Sequence, residues 1–457
     1  MNQYRTEHGF LVLLVAGFAC VATAQFATSV AGDSYFCLFF GRDLLANGLP
    51  HVNDATVLGY GEWWINAQWM AHVVFYGVYE LGGFPLSLIL VVGLEVIGVI
   101  FAVRAAMRGG TSTLRVLMAA MMGHCMLPTF SVMRAQAFGW LFLGVAFWLI
   151  VDDDERPSRR YWWSVPLVVL WTNVHGSALV GAGFLGLGAL ISMVKHPEIR
   201  KERFFLGACI AGASLVSPYW LPPYWLKMTT DAGPFGEWFR PTFEKNPIEL
   251  SFAILALVGV LFAFRRMKRT HAIMLVAAAV IGLQGVRYGL VVAFGLIAFG
   301  PNLFEALLGP RRMRVRRAAP FAVVASILWF VGLGMGLYRL PRLLPKNYPP
   351  AILAWPMEGG NIMAKETYGD WLLYERPDLR GRILVDVRSE VATYEDWVTL
   401  IHIENGDVDR IEELPDVRHL VVSEIAGEKL VEALEQDARW RRVTGTDAVS
   451  LWTRSGV

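Results

Sequence analysis

Residues 84–103 read FPLSLILVVGLEVIGVIFAV, a run of 20 residues in which Glu95 is the single charged side chain. At about 1.5 Å of rise per residue, a helix of this length crosses the hydrocarbon core of a bilayer. Similar runs recur along most of the chain, which predicts a polytopic α-helical membrane protein. The predicted spans, about eleven in number, lie near residues 9–31, 84–103, 113–129, 136–151, 161–176, 177–194, 204–220, 248–264, 271–288, 289–308 and 319–338.

The composition agrees with a protein that exposes much of its surface to lipid. Of the 457 residues, 55% are apolar and 18% are charged, whereas soluble proteins carry about 25% charged residues. The net charge of +2 is too small to indicate a nucleic-acid partner. The four cysteines are scattered and show neither metal-ligand spacing nor a disulfide framework. We therefore expect the lipid bilayer as a partner, no nucleic acid and no metal site.

The first apolar run is predicted to be an uncleaved helix. Arg5 precedes it, and Ala22-Thr23-Ala24 mimics a signal-peptide cleavage site. However, the run continues through Val30, and ten more predicted spans follow. An uncleaved first transmembrane helix explains this pattern better than a signal peptide does.

Basic residues in the short loops predict the orientation. One set of alternate loops holds 20 Lys and Arg residues and the other holds 6. Short cytoplasmic loops are enriched in Lys and Arg, so the first set, which includes the N-terminus, is predicted to be cytoplasmic. An odd number of crossings then places the C-terminal segment on the extracytoplasmic side.

Two predicted outer loops are unusually long. The first, residues 32–83, is rich in aromatic residues, and its second half, Trp63–Leu81, is predicted to be a helix in the membrane interface. The second, residues 217–247, contains 6 prolines and cannot be one regular helix. Long ordered loops are often functional. The chain is thus predicted to have a transmembrane module, residues 1–338, that carries these two loops.

The character of the sequence changes from residue 339 onward. Residues 382–387 and 419–423 resemble buried strands, and residues 408–414 and 427–436 resemble helices. We predict that residues 339–457 form a small, water-soluble, extracytoplasmic α/β domain.

Two carboxylates in the first outer loop are candidates for chemistry. Asp33 lies where the first helix emerges, and the apolar run Phe36–Phe40 follows at once. An ionisable group at membrane depth is costly and usually lines a functional cavity, although Asp33 could also only mark a helix end. Asp54 lies in the same loop, where a plain turn explains it nearly as well. The pair could act as a general base and its helper, or could share a cation.

A second polar set lies at the predicted outer ends of other helices. It comprises Arg134, Asn173, His175, Glu237, Trp238 and Arg287. Snorkelling at the interface explains Arg134 about as well as function does. Arg287 is surrounded by apolar residues, and its guanidinium suits a lipid phosphate, which it can bind with two hydrogen bonds. These charged residues at the outer membrane face are compatible with a lipid-linked anionic substrate. They do not distinguish an enzyme from a transporter.

The ensemble of motifs resembles the bacterial multi-pass glycosyltransferases of the GT-C class, which use polyprenyl-phosphate sugars as donors. The resemblance spans nearly the whole chain and is carried by Asp33, Gly41-Arg42, Gly48-Leu49-Pro50, Asn53-Asp54, Trp63, Trp69-Met70, Arg134-Ala135-Gln136, Trp171-Thr172-Asn173-Val174-His175-Gly176-Ser177, Ser217-Pro218-Tyr219, Glu237-Trp238, Arg287, Gly360-Asn361-Ile362, Tyr368-Gly369-Asp370-Trp371 and Val385-Asp386-Val387-Arg388.

The resemblance implies a GT-C-like enzyme of the bacterial cytoplasmic membrane. It implies that a sugar passes from the polyprenyl phosphate to a hydroxyl of a glycan, lipid or protein acceptor, with Asp33 as base and Arg287, with Arg134, on the donor phosphate. Where relatives often carry Glu-Trp-Leu, this chain has Gln68-Trp69-Met70, so a divalent cation is not favoured and no cofactor is expected. A non-enzymatic protein that translocates or recognises a polyprenyl-linked glycan is the alternative, and an inactive scaffold for envelope assembly is a third.

Overall fold

The computed structural model describes residues 15, 17, 19–20, 32–126, 132–219, 239–309 and 319–455. They fold into two compact units. The helical unit comprises the described residues before 21 together with 88–126, 132–219, 239–309 and 319–336. The mixed unit comprises the described residues 32–87 and 337–455.

Helices dominate the described chain. In chain order they are α1 (Gly32–Asn47), α2 (Trp69–Arg108), α3 (Thr113–Met126), α4 (Gln136–Glu155), α5 (Ser164–Thr172), α6 (Ala178–Lys195), α7 (Arg200–Ala213), α8 (Pro247–Ala263), α9 (Arg269–Gly282), α10 (Gly289–Leu308), α11 (Ala319–Asn347), α12 (Pro350–Leu353), α13 (Glu366–Glu375), α14 (Tyr394–Glu404) and α15 (Glu428–Gln436). Short 3₁₀ helices lie at Arg159–Trp163, Pro197–Ile199, Val286–Tyr288, Pro377–Leu379 and Val408–Glu413.

The helices confirm a membrane protein. Within the described part of the chain, five are long and apolar enough to cross a bilayer: Trp69–Arg108, Gln136–Glu155, Ala178–Lys195, Val286–Leu308 and Ile327–Leu344. Shorter apolar helices occupy Pro247–Ala263 and Arg269–Gly282. The total of about eleven spans stays a prediction.

Helix α2 is interrupted near its first third. Gly82 and Gly83 leave helical geometry, and Gly83 adopts a φ of 62°, a conformation that glycine reaches without a steric penalty. The helix predicted at Trp63–Leu81 therefore exists, but it begins at Trp69. Residues 51–66 form turns and isolated bridges instead.

Close helix packing in the helical unit depends on small residues. A Cβ atom on Gly144 of α4 would lie 2.1 Å from the carbonyl oxygen of Gly98 in α2, so the two backbones touch. Small residues allow such close approach between membrane helices. Helix α10 packs against α3, α8 and α9, and its residues 289–301 are all buried.

An acidic run at the end of α4 joins several helices. Each of its four consecutive carboxylates forms an ion pair with a cation from a different part of the unit: Asp152 with Arg108, Asp153 with Arg203, Asp154 with Lys195 and Glu155 with Lys268. The Arg203–Asp153 pair, at 2.6 Å, is buried. A buried charge requires such a partner because desolvation is costly.

The mixed unit contains a four-stranded sheet of β1 (Asn361–Ala364), β2 (Val417–Ser423), β3 (Trp440–Gly445) and β4 (Val449–Arg454). The strand order is β1-β2-β4-β3, with β1 and β2 parallel and the other pairs antiparallel. The predicted strand at residues 419–423 and the predicted helix at 427–436 are confirmed. The predicted helix at 408–414 is a 3₁₀ helix. The strand predicted at residues 382–387 is wrong, since only Ile383 forms an isolated bridge to β1.

The segment predicted as the first outer loop extends this sheet. Its backbone hydrogen bonds are Gly381 N–H to Ala55 O (2.9 Å), Val57 N–H to Ile383 O (2.8 Å) and Leu58 N–H to Leu384 O (3.1 Å). Helix α1 packs on α13. Residues 32–87 therefore share one compact unit with the C-terminal residues. The division into a transmembrane module, 1–338, and a separate domain, 339–457, stays a prediction.

Candidate functional site

Asp33 lies in the first turn of α1 with its side chain half-buried. A carboxylate is favoured there because the N-terminus of a helix carries a partial positive charge. Its negative charge acts on Tyr348, Glu366 and Asp370. Two of these residues belong to α13, the helix on which α1 packs. The packing of α1 on α13 thus brings Asp33 to residues more than 300 positions away in the chain.

Buried tyrosines lie beneath this end of α1. The Tyr35 ring meets the Tyr348 ring edge-on at 4.8 Å between centroids and lies 6.0 Å from the Tyr374 ring. Burial raises the pKa of all three phenols. They therefore remain neutral near neutral pH and form an aromatic layer that excludes water from one side of the site.

Asp370 is a fully buried carboxyl group of α13. Its Oδ2 atom accepts the Val387 N–H at 3.3 Å, and its Oδ1 atom has no hydrogen-bonding partner among the described residues. Burial raises the pKa of Asp370 well above its usual range, and the charges of Asp386 and Asp33 raise it further. Burial thus favours the protonated form of Asp370, whose ionised form would place a second negative charge near Asp33.

Asp386 forms a buried ion pair with Arg388. The Arg388 Nη2 atom lies 2.7 Å from Asp386 Oδ2, and both side chains are almost completely buried. Arg388 also donates to Asn53 Oδ1 at 2.7 Å and lies over the rings of Trp64 and Phe40, at 4.5 and 4.9 Å. One guanidinium therefore connects residues 40–64 to the C-terminal part of the unit.

Sequence reasoning assigned no role to Glu366, Tyr348, Asp370 or Asp386. The last two lie in short motifs that carried the family resemblance, and this was the only available signal for them. Nothing local in the sequence marks Glu366 or Tyr348.

Asp54 lies on the exposed surface of the same unit. Its Oδ1 atom is 2.6 Å from Arg380 Nη2, and Arg380 Nη1 is also 2.6 Å from Asp43. This arrangement gives Asp54 a structural role as one of two carboxylates that hold an arginine. Its predicted role as helper of Asp33 stays a prediction.

The other predicted site residues that the structure describes belong to the helical unit. The buried Asn173 donates to Val169 O and Val216 O, both at 2.8 Å, and so fixes the end of α5. His175 Nδ1 lies 2.8 Å from Ser177 Oγ, which accepts the Trp171 Nε1–H. Both residues therefore order the turn between α5 and α6.

The two arginines are also placed at helix junctions. Arg134 is half-buried in the turn before α4, and Arg287 is half-buried in the 3₁₀ helix Val286–Tyr288 before α10. The backbone N–H of Val286 donates to Phe239 O at 3.0 Å. Glu237 and Trp238 lie outside the described residues.

One group could hold a metal ion in the part of the chain that the structure describes. Ligand atoms of Asp154, Glu155 and His271 lie within 4.8 Å of one another. Both carboxylates already contact lysines, Lys195 and Lys268. These ammonium groups supply the positive charge that a cation would otherwise provide.

The fold is similar to that of solved structures of the arabinofuranosyltransferase AftD from Mycobacteria. The first match has a TM-score of 0.52 and 15% identity, and covers 98% of this chain and 40% of that one. The chain shares its fold with a glycosyltransferase. A structure of an AftD mutant matches equally, with a TM-score of 0.52, 15% identity and coverage of 97% and 41%.

The chain thus spans about 40% of the length of the enzyme it resembles. No protein-family description matches the sequence, and no curated protein is significantly similar to it. At 15% identity, the likeness shows the fold alone.

Proposed function

We propose that the chain is a glycosyltransferase of the bacterial cytoplasmic membrane that moves a sugar from a polyprenyl-phosphate donor to an acceptor hydroxyl at the outer face. The observation that carries the proposal is the position of Asp33 within a fold shared with an arabinofuranosyltransferase. Its half-buried carboxylate stands at the start of α1, and its charge acts on the buried Asp370 of α13.

In the proposed reaction, Asp33 accepts the proton of an acceptor hydroxyl as the hydroxyl oxygen attacks the anomeric carbon of the donor. The bond between that carbon and the phosphate oxygen breaks, and the electron pair leaves with the polyprenyl phosphate. Arg287, with Arg134, binds the departing phosphate and stabilises its growing charge. We expect Asn173, His175, Glu237 and Trp238 to contribute to substrate binding.

Replacement of Asp33 by Asn tests the base. The amide preserves the shape of the side chain but cannot take a proton, so transfer should fall by about 10²–10⁴. Transfer is measured with the purified protein and a panel of polyprenyl-phosphate pentoses and hexoses. Thermal stability and donor binding should be retained. Asp54→Asn should have a smaller effect unless the two carboxylates share a cation. Glu62→Gln is the matched control, because it removes an exposed carboxylate of the same segment that has no predicted role.

Near-normal transfer by Asp33→Asn would show that the carboxylate is structural. An inactive variant that also loses donor binding or unfolds early would lead to the same conclusion. A wild-type protein that transfers no sugar from any donor of the panel would contradict the proposed activity itself.

Substitutions of Arg287 test whether this residue recognises the lipid phosphate. Lysine keeps the charge but loses the planar pair of donors, so Arg287→Lys should weaken donor use and Arg287→Ala should weaken it more. Loss of a charge-assisted contact costs about 1.5–3 kcal/mol, or roughly ten- to a hundredfold in affinity. The increase in melting temperature on adding polyprenyl phosphate should shrink in both variants.

The same measurement separates phosphate binding from helix packing. A packing role would lower the melting temperature of both variants with and without lipid and would leave the lipid-induced increase unchanged. An undiminished increase in Arg287→Ala would therefore exclude the phosphate assignment.

A further inference from the structure

The sheet of the mixed unit has a cavity at the carboxyl ends of its two parallel strands. Ala364 ends β1 and Lys365 follows it, and Ser423 ends β2. Glu404 at the end of α14 and Leu430 of α15 complete the wall. The space between these residues, about 370 Å³, includes the part of the crevice that is open to solvent. We call this cavity the switch pocket.

The topology of the sheet places this cavity at a position where open α/β sheets bind ligands. After β1, the chain passes through α13 to the bridge at Ile383, on the side of β1 away from β2. After β2, it passes through α15 to β3 and β4, on the side of β2 away from β1. The following helices diverge, and this leaves a crevice between the strand ends. In open α/β sheets, ligands bind at such a switch point.

The polar groups at the pocket indicate what kind of ligand fits. The lining offers the Lys365 ammonium as a donor and Glu404 as an acceptor, beside the apolar Leu420 and Leu430. The Ser423 hydroxyl already hydrogen-bonds to Tyr368 and accepts the Ala426 N–H. Burial raises the pKa of Glu404, and the nearby Lys365 opposes that increase. The Glu404 carboxylate would repel a phosphate, and the Lys365 ammonium would repel a divalent cation. A neutral ligand with several hydroxyl groups satisfies both.

The charges of Asp33 and of two pocket residues act on one residue, Glu366. Glu366, the first residue of α13, interacts electrostatically with Lys365 and Glu404 on one side and with Asp33 on the other. A hydroxyl-rich molecule held in the pocket is therefore held by the same short stretch of chain that faces the proposed base.

We propose that the switch pocket binds one sugar unit of the acceptor, with Glu404 accepting and Lys365 donating hydrogen bonds to its hydroxyl groups. The identification of that sugar as acceptor rests on the proposed function. The binding itself does not, because it needs neither the donor nor the transfer reaction.

Saturation-transfer NMR on the full chain in detergent micelles tests the binding. The probes are methyl α-arabinofuranoside, methyl α-mannopyranoside and inorganic phosphate. At least one methyl glycoside should receive saturation from the wild-type protein, and phosphate should not displace it. Glu404→Gln should weaken binding by about tenfold or more, because it removes a charged acceptor. Ala426→Trp, at the exposed rim, should abolish binding by filling the mouth.

A matched control comes from the same unit. Glu432 lies on the exposed side of α15, and Glu432→Gln should bind the glycoside as the wild type does. Melting temperatures of all variants show whether they are folded. A Glu404→Gln or Ala426→Trp protein that melts normally and binds normally would overturn the proposal. Absence of glycoside binding to the wild type, or displacement of the glycoside by phosphate, would also overturn it.

Asp33→Asn separates this inference from the proposed function. It should lose transfer and retain glycoside binding. If the wild type binds the glycoside at the pocket but transfers no sugar, the proposed function fails and the pocket assignment stands. If transfer is intact and the glycoside binds equally to all pocket variants, the pocket assignment fails alone.

Discussion

Arg388→Met should detach the segment around Asn53 from the C-terminal part of the mixed unit. The arginine side chain is 2% exposed and that of Asp386 is 0% exposed. Its removal leaves a buried carboxylate without its cation, takes one hydrogen bond from Asn53 and removes the cation above Trp64. Breaking a buried ion pair in this way costs about 3–5 kcal/mol. At about 1.4 kcal/mol per factor of ten, this corresponds to more than a hundredfold in the local opening equilibrium.

Hydrogen–deuterium exchange measures that opening directly. In Arg388→Met, peptides covering residues 53–64 and 383–391 should exchange more than about a hundredfold faster, and the melting temperature should fall. Asp386→Leu added to Arg388→Met removes the orphaned charge and should recover much of the protection.

An exposed pair in the same unit provides the control. Arg418 lies 3.1 Å from Asp416, with side-chain exposures of 39% and 60%, so Arg418→Met should cost at most about 1 kcal/mol. Exchange in Arg388→Met that is no faster than in Arg418→Met would refute the idea that the buried guanidinium holds these segments together.

Three further predictions concern titration, packing and topology. Asp370 binds its proton more tightly when folded, so wild-type stability should decrease as pH rises from 3.8 toward the raised pKa; Asp370→Asn should lose this decrease in melting scans. Gly144→Leu would press on a backbone carbonyl of α2 and should cost about 1–3 kcal/mol, whereas Gly186→Leu, with nothing within 4 Å of its Cβ position, should not. Cysteines introduced at Lys201 and Asp396 should be labelled from the cytoplasmic and outer faces, respectively; the reverse would contradict the predicted orientation.

The apolar runs predicted several long helices well. The runs at 84–103, 136–151 and 289–308 lie inside α2, α4 and α10, because uninterrupted apolar surface leaves little alternative to a helix in lipid. The predicted span at 161–176 instead contains a 3₁₀ helix and the nine-residue α5. The Tyr and Trp residues of this segment fit a membrane-spanning α-helix as well as they fit a 3₁₀ helix. Composition alone therefore could not locate the change between the two.

The sheet and the site were less accessible to sequence reasoning. Strand β1 has four residues, and β3 carries two exposed arginines, so neither shows the alternation of a half-buried strand. Asp33 could be selected by its apolar surroundings alone. Its neighbour Asp370 lies 337 positions further along the chain, and only the tertiary fold brings the two carboxyl groups together.

The acidic run at the end of α4 has a consequence for biogenesis. Glu155 is synthesised 113 residues before its partner Lys268, an interval of about 6–23 s at typical translation rates of about 5–20 residues per second. During that time its carboxylate must stay hydrated or be held by the insertion machinery. The same holds, over shorter intervals, for Asp153 and Asp154. Completion of the ion pairs therefore requires that α9 has arrived beside α4, and a chain stalled before that point leaves Glu155 without the lysine that it contacts in the finished protein.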